Sequence, residues 1–162
     1  MKFKRLTQEE LDELKDEFVQ FLSSNSITAD DWEDMKQNKQ EQAEDLIAIF
    51  SDIVYQKSLE RIEYLAFAEP TEIKTFHFSD QKAVMFGLKV EGKEVDLTDS
   101  ETVQQLAKEG DKDPNLSVEV FRGEKEYAQE REEEIFHLME AGAQPSDGAK
   151  FQALRHVYKS SE

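Results

Sequence analysis

The hydrophobic pattern changes its period near residue 62, and that change restricts the fold more than any other feature. Upstream, QEQAEDLIAIFSDIVYQKSLERI carries Ala43, Leu46, Ile47, Phe50, Ile53 and Val54 at the spacing of one helical face, with Ile49 widening the stripe. Downstream, IEYLAFAEP, EIKTFHFSD and KAVMFGLKVEG are rich in aromatic and β-branched residues and are separated by Pro70-Thr71 and Ser79-Asp80-Gln81. Their alternation is clearest in Val84, Phe86, Leu88 and Val90, which reads as an antiparallel meander. The expected class is α+β: N-terminal helices, a short antiparallel β-meander of three to four strands, and C-terminal helices. Phe50, Ile53, Val84, Phe86 and Leu88 are expected in the core.

The flanking segments carry their own start and stop signals. In LTQEELDELKDEFVQFL, Thr7 and Glu10 have capping-box spacing, Leu6 and Leu11 have staple spacing, and Leu11, Leu14, Phe18 and Phe21 or Leu22 form one stripe. SITADDWEDMK repeats the device, with Thr28 as N-cap, Asp31 at the third helical position, and Ile27 and Trp32 as the clasp. Its acids suit the positive end of a helix dipole and need no substrate. Thr98 and Glu101 suggest another capping box before a short helix with Val103 and Leu106. SVEVFRG predicts a strand with Val118 and Val120 on one face, and EKEYAQEREEEIFHLMEAG predicts a charged helix ended by Gly142. A last helix presenting Phe151 and Leu154 is expected from near Ser146 or Asp147.

A length of 162 residues predicts one domain, 1–162, able to bury roughly 70% of its unfolded surface. Within it, 1–61 reads as helical, 62–122 as mainly β with one short helix, and 123–162 as C-terminal helices. Eleven Phe, four Tyr and one Trp supply the apolar area that a chain with 35% charged residues otherwise lacks. The net charge of −17 repels phosphate backbones and anionic lipid, so neither direct nucleic-acid nor membrane binding is expected. With no cysteine there is no disulfide, thiolate metal site or cysteine nucleophile. MKFKRLTQEELDELK has a basic start without an apolar run after it, and no stretch reaches the roughly 20 apolar residues that span a bilayer, so a cytoplasmic location is expected.

Several short constellations imitate chemistry. Glu134 and His137 form Glu-x-x-His, the spacing of a carboxylate-bridged di-iron ligand pair, but such a site needs two copies plus further glutamates and this chain has one. Glu132 and Glu133 beside it favour a solvated helical face. Asp111, Asp113 and Asn115 imitate the first half of a calcium loop, yet Leu116 stands where Gly is needed and Arg122 where a bidentate Glu is needed, so a polar turn is the plainer reading. These remain the only metal candidates, and neither a catalytic residue nor a cofactor is assigned. His77 should face opposite to Phe76 and Phe78, and, like His156, has no partner in sequence that would make it a base. Glycine-rich phosphate loops, nucleophile elbows and H-E-x-x-H pairs are absent from the sequence.

KFKRLT at the start, EF..FL..N.ITADDW, FSD at 50–52, YL.F with EIK.F, GL.VEG followed by DLTD, and the closing SDG..F.AL together resemble an uncharacterised family of short acidic cytoplasmic proteins from Bacteroidota. The resemblance spans nearly the whole chain and implies no activity, cofactor or site residue.

The functional expectation is therefore a non-enzymatic cytoplasmic adaptor or regulator whose acidic surface meets a basic protein. A small metal- or calcium-dependent enzyme is the alternative, and a nucleic-acid mimic that binds a basic protein is a further one. The charge can equally serve solubility alone, and the wide stripe of residues 43–54 leaves room for a homodimer.

Overall fold

The structure is a computed structural model, and it describes residues 1–92, 95–109 and 116–160. The chain divides into two compact units, Met1–Glu60 and Arg61–Glu162. Helices make up the first, and a sheet with helices makes up the second.

The N-terminal unit contains α1 (Gln8–Glu13), α2 (Lys15–Ser24), α3 (Ala29–Asn38) and α4 (Gln40–Glu60). Both expected capping boxes form: Thr7 Oγ1 accepts from the Glu10 N–H while Glu10 accepts from the Thr7 N–H, and Thr28 and Asp31 do the same. What reads in sequence as one first helix is two, because the backbone turns at Leu14 (φ −102°, ψ 26°). α2 closes with Ser26 in the left-handed region (φ 61°), the Ile27 N–H reaching Leu22 O and the Ser26 N–H reaching Ser23 O.

Leu6, Leu11, Phe18, Leu22, Ile47 and Phe50 form the buried core of this unit, with Ile27 and Trp32 packed at its edge. The start of the chain is fastened to α4. Asp52 accepts from the Lys2 and Phe3 N–H groups at 2.7 and 3.0 Å, Arg5 forks onto Glu44 at 2.7 and 3.0 Å, and the buried Ser51 hydroxyl accepts from the Leu6 N–H at 2.9 Å. α4 buries Ala43, Ile47, Phe50, Ser51 and Leu59, so its inward arc is turned toward Ser51 and away from Ile53 relative to the one expected. Ile53, expected in the core, is 38% exposed and Ile49 is 52% exposed. A stripe this wide exceeds what one side of a helix can bury, and the excess lies on the outer face.

The second unit holds β1 (Tyr64–Ala68), β2 (Glu72–Phe78), β3 (Lys82–Glu91), α5 (Ser100–Glu109), β4 (Ser117–Glu126), α6 (Arg131–Glu140), β5 (Gln144–Ser146) and α7 (Ala149–Ser160). The strands form one antiparallel sheet ordered β4-β3-β2-β1-β5, which together with the helices at both ends gives the α+β class. The fifth strand exceeds the three to four expected. Three residues long and carrying Pro145, it has no readable period and survives only as an edge.

One sheet face carries Ile73, Thr75, Phe86, Leu88 and Val90, which join Leu97, Val103, Phe151 and Leu154 in a buried cluster. Phe86 and Leu88 are thus inside, and Val84 is half-buried. The Thr75 hydroxyl, almost wholly buried, donates to Phe86 O at 2.8 Å. α5 starts one residue later than the Thr98 cap would have it, because Asp99, not Thr98, accepts from the Glu101 N–H. α6 ends in a Schellman closure, with Gly142 (φ 115°) donating to Met139 O and Ala143 to Leu138 O.

Candidate functional site

The N-terminal unit presents an open groove of about 410 Å³. Its floor is Leu11, Phe18, Leu22, Trp32 and Ile47, and Val19, 51% exposed, stands at its side. The capping box at Thr28 sets the direction of α3, and so brings Trp32 edge-on to Phe18, with ring centroids 5.1 Å apart and planes at 77°. Phe18 also meets Phe50 at 5.0 Å, which makes the floor part of the core. The same clasp that closes the helix start thus leaves an apolar trough beside it.

Gln8, Asp12, Lys15, Glu33 and Lys36 make the rim. Lys36 is held by Glu33 at 2.8 Å and sits 6.0 Å from the Trp32 ring centroid, while Asp12 accepts from Gln8 at 3.0 Å. Along the rim and beyond it, the charge of the helices α1 to α3 is one-sided. Residues 9–34 carry ten carboxylates and one basic side chain, Lys15. Hydrogen bonds from the backbone N–H and then the hydroxyl of Thr7 hold the Glu10 carboxyl below its ordinary range, and Thr28 does the same for Asp31.

Of the residues singled out in sequence, Glu134 and His137 lie among the described residues and are not gathered there with a third His, Asp or Glu. Glu134 Oε1 accepts from the Ala128 and Gln129 N–H groups at 2.9 and 3.4 Å, and Oε2 from Lys125 Nζ at 2.9 Å. Burial pulls the Glu134 carboxyl upward, but Lys125 and those two N–H groups outweigh it and leave it lowered. Glu134 therefore fastens the end of β4 to the start of α6, while His137, one turn on, is exposed. Asp111, Asp113 and Asn115 lie outside the described residues. His77 stacks with Tyr64 at 4.8 Å and Phe151 at 5.7 Å, and His156 is exposed. Among the described residues no three His, Cys, Asp or Glu side chains gather as metal ligands, and no helix is long and apolar enough to cross a membrane.

The sequence profile of the Family of unknown function (DUF6495) matches residues 1–159. The chain belongs to that family. No curated protein and no solved structure matches the chain. The family carries no assigned activity, so the groove stands on its own geometry. Its floor residues were legible as a hydrophobic stripe, but Val19, Lys15 and Lys36 gave no signal beyond an apolar or basic residue off the stripe, because a trough depends on how three helices diverge.

Proposed function

We propose that the chain is a non-enzymatic interaction protein whose groove in the N-terminal unit receives a basic amphipathic segment of another protein. A single observation carries this reading: a half-open apolar floor set within a stretch holding ten carboxylates and one lysine. An apolar side chain that leaves water for such a floor gains roughly 1.5–3 kcal/mol, and the surrounding charge steers a basic partner toward it. A cysteine-free chain suits a reducing, cytoplasmic setting, which belongs to the same proposal.

The test is capture from native-host extract at low and high salt, using the wild-type chain and Val19→Lys. Val19 is exposed, so the substitution alters the groove rather than the core. A basic protein retained by the wild type, released by salt and lost with Val19→Lys is the expected result. A captured set indifferent to both salt and the substitution overturns the proposal. Release of the bound protein by added DNA or RNA would instead assign the acids to mimicry of a phosphate backbone.

A further inference from the structure

The outer face of α4 carries a second, separate surface. Gln42, Leu46, Ile49, Ile53, Gln56 and Glu60 follow one another in alternating steps of four and three, the spacing of a coiled-coil seam. Ile49 and Ile53 are among the few large apolar side chains left exposed, and with Asp52, Gln56 and Lys57 they line an open apolar depression. Within it the Gln56 Nε2 donates to Glu60 Oε1 at 3.1 Å, while the buried Gln56 Oε1 accepts no hydrogen bond.

We propose that this face pairs, parallel and in register, with the same face of a second copy of the chain. Ile49 and Ile53 then stack as two apolar layers, each against its own twin, beside Leu46, which is half-buried against its own unit's core. Gln56 forms the next layer, and a lone polar seam layer of this kind fixes register. Beside the seam, Asp52 lies five residues before Lys57, the offset at which flanking charges of parallel helices meet. Asp52 therefore faces the partner's Lys57 twice over by symmetry. Antiparallel pairing would bring Asp52 against the partner's Asp52 on one flank and leave Lys57 without a carboxylate. Glu60, the next seam position, sets like charges together and ends the contact. A seam this short belongs to the small, transient class of interfaces. Each copy carries −17, so the long-range field opposes association and added salt should strengthen it, the reverse of the salt response expected at the groove.

Sedimentation of the full chain at about 100 μM tests this at about 0.1 M salt and again at about 1 M, where the Debye length falls to roughly 3 Å. The mass should move from 18.8 kDa toward twice that value as salt rises. Ile53→Lys, at an exposed position, should weaken the dimer by at least about tenfold. The chain has no cysteine, so single-cysteine variants report the geometry directly. Ile49→Cys alone and Ile53→Cys alone should each cross-link under mild oxidation, well above Val19→Cys, which is exposed but off the seam. A monomer at both salts with cross-linking no better than the Val19→Cys control overturns the proposal. Cross-linking only in a mixture of the Ile49→Cys and Ile53→Cys variants overturns it as well, since that is the antiparallel result.

Discussion

Gly87 is the position where the sheet leaves least room. It pairs with Phe121 across β3 and β4, and a Cβ built on it would lie 2.2 Å from Phe121 Cζ and 2.3 Å from Cε2. Carbon atoms rest at about 3.5–4.0 Å, so Gly87→Ala must push the ring aside by more than about 1 Å. Gly87 is not among the glycines of positive φ, so what opposes the methyl group is lack of space, and its nearest neighbours there are atoms of the ring. The expected cost is about 1–3 kcal/mol, the range of an overpacked site. Phe121→Ala removes the half-buried ring and should cost about 1–2 kcal/mol, less than a fully buried Phe. On that background Gly87→Ala no longer meets the ring and should return about 0.5–1 kcal/mol, because alanine restricts the unfolded chain. The pair should therefore deviate from additivity by about 2 kcal/mol. Urea unfolding followed by the far-ultraviolet circular dichroism of the sheet measures it, since the only tryptophan belongs to the other unit. If Gly87→Ala costs the same with and without the Phe121 ring, the close approach is not what keeps glycine there.

Other expectations concern the N-terminal unit and acid. Ser51→Ala strands the buried Leu6 N–H and should destabilise by about 1–3 kcal/mol, read by Trp32 fluorescence in urea; an unchanged midpoint would dismiss that hydrogen bond as a fastening. Ser26→Gly should stabilise by about 1 kcal/mol, since Ser26 is exposed and holds a left-handed φ that glycine adopts without strain; a loss of stability there would contradict the closure drawn for α2. Glu10, Asp31, Glu44 and Glu134 all have folded values below their ordinary ones, so their contribution is complete above about pH 5 and is lost as pH falls toward the lowered folded values. Thermal unfolding from pH 6 to 3 should show that loss, and Glu134→Gln should make it shallower; an equally steep profile would remove Glu134 from the account.

Local signals in the sequence were strong where one element decides its own structure. Thr7 with Glu10, and Thr28 with Asp31, became capping boxes, and the alternation of Phe86 and Leu88 gave the right strand phase. The break at Leu14 and the late start of α5 were not legible, since Leu14 is an ordinary helix former and Asp99 competes with Thr98 for the same cap.

The sequence by itself determined the class of the chain, the passage from N-terminal helices to a meander and back to helices, the two capped helix starts and the density of acid between residues 9 and 34. Periodicity and capping act within a few residues of one another, which is why they can be read without a partner. Only the tertiary structure decided which arc of α4 faces inward, that Gln144–Ser146 completes the sheet, and that Phe18 and Trp32 floor a groove as well as join a core. Each of those depends on the distance between elements that the chain brings together from far apart, and a stripe of apolar residues carries no measure of that distance.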